Sequence, residues 1–155
     1  MKYLFINGRL TPTQFDQFLQ LASEYCTSFS LVWRKSFRFN RNAKQIENDL
    51  KKYLIKEEST SKWPGTEIIK AKATVRHYKL NENSKKILKR NPDFYGWLTP
   101  DYPEDLAFYS KSGKCWFASV AHEDMAYFEP PWPFDVSEIK KRIRGIQMKI
   151  ENYKD

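Results

Sequence analysis

Two spacings of apolar residues alternate along this chain, one of three to four positions and one of two, and their order sets the expected architecture. Residues 2–6, Lys-Tyr-Leu-Phe-Ile, form a short apolar run closed by Asn7-Gly8 and predict a strand. Thr11, Pro12 and Gln14 then supply an N-cap, a proline at the first helical position and a capping-box glutamine. Phe15, Phe18, Leu19, Ala22 and Cys26 follow at helical spacing, so a helix is expected over about 12–26. Between Phe29 and Phe39 the period becomes two. Phe29, Leu31, Trp33, Phe37 and Phe39 share one face, and Ser30, Arg34, Ser36 and Arg38 the other, which predicts a long, half-exposed strand.

Asn42 with Gln45 predicts a cap for a second helix over about 43–55, carrying Ile46, Leu50, Tyr53 and Leu54 on one side. A polar run from Glu57 to Lys62 leads to the turn signal Trp63-Pro64-Gly65. Residues 66–80 alternate again, with Ile69, Ala71, Ala73 and Val75 facing one way and Lys70, Lys72, Thr74 and Arg76 the other. A short helix over 83–90 ends at Asn91-Pro92. Beyond an irregular Pro- and Tyr-rich stretch, residues 106–109 and 114–121 read as a hairpin around Gly113, and 125–129 as a returning strand. This gives a β-meander over about 104–129. Pro130, Pro131 and Pro133 form a stiff connector. The last pattern, Val136, Ile139, Ile143, Ile146, Ile150 and Tyr153, steps by threes and fours and predicts an amphipathic helix over about 136–153. The whole reads as one α+β domain, 1–155, with a mainly antiparallel sheet. The C-terminal seam is expected to pack on that sheet, giving a monomer, with pairing to a second copy as the alternative.

Charge changes this picture by dividing it. Of the formal net charge of +8, residues 34–90 hold 17 Lys and Arg against 6 Asp and Glu, whereas 91–135 hold 2 against 8. A basic middle and an acidic, aromatic stretch can steer oppositely charged partners. No window has the length of apolar sequence that a membrane span needs, and the N-terminal residues lack the apolar core of a signal peptide. Cys26 and Cys115 lie far apart without ligand or disulfide spacing, which fits a reducing cytoplasm.

Candidate chemistry is sparse. His122 sits in Val-Ala-His-Glu-Asp, yet the second histidine of a zinc-protease helix would fall on Ala126. Cys115 and His122 are an odd number apart and would face opposite ways on a regular strand. Glu104 and Asp105 begin one strand of the hairpin, and Glu123 and Asp124 end the other. These carboxylates could bind a metal or do acid–base work, and His122, Glu123, Glu104 and Asp105 are the basis of an enzymatic alternative, provided they face one space. His77 reads as structural. The five glycines are scattered, so no phosphate loop and no cofactor is implied.

Pro103, Glu104, Asp105, Leu106, Gly113, Trp116, Ser119, His122 and Glu123 carry a pattern over residues 102–128. It resembles that of small proteins, mainly from Gram-positive bacteria, commonly labelled stage III sporulation protein AH-like. The resemblance implies a compact cytoplasmic protein without established chemistry, similar in size to the immunity proteins that neutralise bacterial toxins.

Two binding surfaces are therefore expected. The first is an acidic aromatic one made by Phe94, Tyr95, Trp97, Tyr102, Glu104, Asp105 and Tyr109, suited to a protein partner because aromatics anchor interfaces. The second is a basic strand face made by Arg34, Arg38, Lys70, Lys72, Arg76 and Tyr78, suited to nucleic acid. A non-enzymatic protein-binding role is the leading expectation.

Overall fold

The structure, a computed structural model, describes residues 2–34, 38–132 and 134–152. It is α+β. Strands β1 (Lys2–Ile6), β2 (Ser28–Trp33), β3 (Leu54–Thr60), β6 (Ala73–Lys79), β7 (Glu104–Tyr109), β8 (Cys115–Val120), β9 (Met125–Phe128) and β10 (Met148–Asn152) form one antiparallel sheet. Its order is β10-β1-β9-β8-β7-β2-β6-β3. The small strands β4 (Lys62–Trp63) and β5 (Thr66–Glu67) make a separate hairpin. The helices are α1 (Pro12–Tyr25), α2 (Arg41–Leu50), α3 (Glu82–Leu88) and α4 (Val136–Arg142).

The helices share one face of the sheet, where the main core forms. Helix α1 begins as its sequence dictates: the Thr11 hydroxyl accepts from the Gln14 amide, and the Gln14 side chain accepts from the Thr11 amide. The buried stripe of α1 then sets Phe18 against the sheet. Its ring lies 4.6 Å from Phe117, 4.9 Å from Phe94 and 5.3 Å from Phe108, centroid to centroid. Phe94, carried by the segment between α3 and β7, is thereby joined to both the helix and the sheet.

The opposite face carries a second cluster, Phe5, Ala107, Tyr109, Ala118 and Tyr127, and a third around Val32, Trp63, Ala73 and Val75. The β4–β5 hairpin covers part of this face. Gly65, at its tip with φ +82°, approaches so closely that a Cβ there would lie 2.6 Å from Val120 Cγ2.

Several local expectations are corrected. The strand expected from Phe29 to Phe39 ends at Trp33 and is not half-exposed, because β6 and β7 flank it and Trp63 covers Val32 on the second face. Phe37 and Ser36 lie outside the described residues. Helix α2 is capped by Asn40, whose Oδ1 accepts from the Ala43 amide, while the Asn42 side chain donates to the Asp101 carbonyl. The helix expected over 43–55 stops at Leu50. A 3-10 turn, Lys51–Tyr53, follows, and Leu54 opens β3. The polar run read as a connector is thus most of an edge strand. It lacks period-two patterning because both of its faces meet solvent.

Residues 66–80 are two strands with a loop over 68–72, where Lys70 takes φ +57°. Ile69, expected to point inward, is 85% exposed. The helix expected over 136–153 stops at Arg142. Gly145, with φ +80°, breaks it, and Met148–Asn152 pairs in register with β1 from Ile6↔Met148 to Lys2↔Asn152. Ile146 and Ile150 satisfy a helical spacing and a strand spacing equally, which hid the switch. Tyr153 lies outside the described residues. Ile139, Ile143 and Ile146 are buried in this chain's own core, so that part of the seam offers no face to a second copy.

Phe18→Ala is expected to cost about 3–5 kcal/mol, because the cavity would open where helix, sheet and the 94 segment meet. Gly65→Ala is expected to cost about 1–3 kcal/mol through the clash with Val120. Urea unfolding midpoints at matched m-values check both.

Candidate functional site

The segment that opens β7 departs from regular strand geometry. Ser30 pairs with Ala107 and Val32 with Glu104, so Leu31 faces two residues, Asp105 and Leu106. Asp105 takes φ +56°, the left-handed conformation usual for glycine in such a bulge. Consecutive strand residues ordinarily point to opposite faces, but here Glu104 and Asp105 converge. A 3-10 turn, Ala121–Glu123, brings His122 to the same place from the end of β8. One ligating atom each of Glu104, Asp105 and His122 lies within 4.8 Å of the other two. Glu123 adds a carboxylate 3.7 Å from His122 Nε2.

The two strand carboxylates are also built into the fold. Asp105 Oδ2 accepts from Trp63 Nε1 at 2.8 Å and Oδ1 from the Ala121 amide at 3.0 Å, tying the β4–β5 hairpin to the end of β8. Burial pushes its carboxyl above the ordinary carboxylate range, against the pull of those two donors. Glu104 accepts from the Thr99 amide at 3.3 Å and lies 3.9 Å from Arg34. Glu104, Asp105 and the half-exposed His122 are the described residues that could ligate a divalent cation. Asp105 would do so with oxygens that each already accept a hydrogen bond.

The other residues of the family-like pattern scatter. Pro103 and Leu106 are buried beside the bulge, and the Ser119 hydroxyl donates to the Leu106 carbonyl at 2.8 Å. Trp116 belongs to the main core, and Gly113 turns the far end of the hairpin at φ +85°. Burial pushes the Cys115 thiol pKa up to about 12, which leaves it a poor nucleophile.

The expected aromatic surface is corrected. Phe94, Tyr95, Trp97 and Tyr109 are buried, because Phe94 meets Phe18 and Phe117, Trp97 Nε1 donates to the Asn91 carbonyl, and the Tyr109 hydroxyl pairs with Ser30 at 2.8 Å. Tyr102, half-buried, packs on Trp97 at 4.9 Å. The expected basic platform is corrected too. Tyr78 is 1% exposed, with its hydroxyl accepting from Trp33 Nε1 at 3.1 Å. Arg34 lies beside Glu104, Lys70 and Lys72 stand on the 68–72 loop, and Arg76 is bound between two glutamates.

That arginine marks a feature the sequence did not disclose. Between α2 and β3 the sheet is left uncovered by a helix, forming two adjoining grooves of about 460 and 540 Å³. Trp33, Phe39 and Arg38 line the first, Leu54, Glu57 and Tyr78 the second, and Lys44 and Glu47 both. Arg76 lies in the floor, 5.2 Å from the Trp33 ring centroid, with Nε donating to Glu57 at 2.9 Å and Nη1 to Glu47. Burial works against its charge, but both glutamates hold its pKa above the ordinary arginine value. On the second face, His77 Nε2 lies 3.3 Å from Glu58, and burial lowers its pKa against that partner.

Asp105→Asn can accept from only one of Trp63 and Ala121, and its amide would face the other donor. Folding stability at neutral pH is expected to fall by about 1–3 kcal/mol. Because the folded Asp105 binds its proton more tightly than the unfolded chain does, its contribution is greatest in acid and declines as pH rises from near 3.8 through the folded value. The variant should lose that decline in pH-dependent urea titrations. Compared with protein-family models, curated proteins and solved structures, the chain matches none.

Proposed function

We propose that this protein is a non-enzymatic binding module that takes up an extended segment of a partner protein alongside β3. The observation that carries the reading is the open edge of that strand beside the α2–β3 groove: among the described residues, no strand pairs with the outer side of β3. Half of an edge strand's backbone groups point outward and can accept an added strand, while alternate side chains of that strand enter a neighbouring groove. Leu54 and Ile55, 41% and 58% exposed, stand at the start of this edge as apolar anchors. Ile55 is the unmatched residue of a bulge, since Leu54 pairs with Tyr78 and Lys56 with His77. Groups of the groove wall and floor, Trp33, Tyr78 and Arg76, are already fixed by one another, so docking there orders little of the protein. Neutralisation of a toxin, as the family-like resemblance suggests, is one role such docking would serve.

Twelve-residue peptides selected by display on the folded protein test this reading. Bound peptide is expected to slow amide hydrogen exchange in β3 and to shift the NMR signals of α2 and β3. A Leu54→Ser, Ile55→Ser double variant should weaken binding about tenfold or more, which is about 1.4 kcal/mol, with an unchanged folded-state spectrum. Protection confined to any other element would overturn the reading.

A further inference from the structure

The two ends of the β3 edge carry a charge pattern that specifies the partner, given the docking mode proposed above. At the Leu54 end the 3-10 turn supplies Lys51 and Lys52, and Lys86 of α3 faces them across a cleft of about 730 Å³. Arg90 and Asp49 also line that cleft but are paired to each other. At the Thr60 end, Lys62 follows the strand, and Lys70 and Lys72 stand exposed on the loop that enters β6. Among the described residues no carboxylate lies within ion-pairing distance of any of these six lysines.

The middle of the edge is different. Lys56 stands there beside two carboxylates, Glu57, paired with Arg76, and Glu58, which lies against His77. A seven-residue strand spans about 23 Å at roughly 3.3 Å per residue, well beyond a screening length of about 8–10 Å. The two lysine groups therefore act as separate sites, with a carboxylate-bearing stretch between them.

We infer that the partner segment is an extended peptide with acidic residues at both ends of an uncharged, partly apolar centre of about seven residues. Each acidic end would meet one lysine group, and the centre would lie along β3 with its apolar side chains toward Leu54 and the groove. A nucleic-acid strand fits this pattern poorly. Its charge is continuous, so it would bring phosphates against Glu57 and Glu58, and it has no backbone amides to pair with the strand edge.

The display selection provides the test through peptide composition and salt dependence. Peptides that protect β3 should carry Asp or Glu in both outer thirds, and their affinity should fall about tenfold between about 50 and 300 mM salt. Repeating the selection on a Lys51→Glu, Lys52→Glu, Lys86→Glu variant should remove the acidic preference at one end and retain it at the other. Peptides that dock on β3 with no acidic preference, or with one that the triple variant leaves unchanged, would overturn the inference while leaving the docking mode standing. Failure of any peptide to protect β3 would remove both. A twenty-residue oligothymidine that displaces bound peptide by occupying the lysine clusters would assign them to nucleic acid and overturn the peptide reading.

Discussion

Everything on the helical face of this protein depends on one side chain finding room for six aromatic neighbours. Phe18 touches Phe15, Phe94, Phe108, Trp116, Phe117 and Phe128, which come from its own helix, an irregular segment, and three strands. Rings of that size meet at preferred distances and tilts, so seating one fixes the others. Helix α1 cannot slide without unseating Phe94, and the segment that carries Phe94 leads directly into the bulge at Asp105. The geometry of the acidic corner is thus inherited from an apolar contact on the other side of the sheet.

Asp105 performs the corresponding task on the second face. A buried carboxylate is costly unless it is met by donors, and the Trp63 indole and the Ala121 amide are the donors that meet it. They hold down the small hairpin that shelters Val32 and Val75 from water. The same arrangement gathers Glu104 and His122 beside it. In the groove beside β3, Arg76 ties α2 and β3 to β6 through Glu47 and Glu57. That arginine is held between the two glutamates, and the trough beside them is open.

Legibility in the sequence followed the contrast between buried and exposed faces. Helix α1 was readable to its cap because Thr11, Pro12 and Gln14 act locally and its stripe faces a single core. The meander was readable because Gly113 marks its turn. Strand β3 was not, since Lys56, Glu57, Glu58, Ser59 and Thr60 bury almost nothing and so leave no periodic trace. The final strand is hidden because Ile146 and Ile150 suit either geometry, and Gly145 between α4 and β10 is the local sign of the break. At the site, residue types drew attention to Glu104, Asp105 and His122, but their convergence needed a bulge that nothing local announces. The aromatics of 94–109 give no sign of their burial, because an irregular segment has no period to assign them a side. The groove residues Lys44, Glu47 and Leu54 carry no motif at all.

The pairing of β10 with β1 has a consequence for how the protein is made. Lys2–Ile6 is made before its partner on one side, Met148–Asn152, which follows on the order of 140 residues later. Its other partner, β9, is also distant in sequence. Until Met125–Phe128 is made, the apolar strand containing Leu4, Phe5 and Ile6 has neither neighbour, and closure of a long loop must precede its protection. Assembly of this end of the sheet is therefore a late event, and Leu4, Phe5 and Ile6 stay uncovered until it happens.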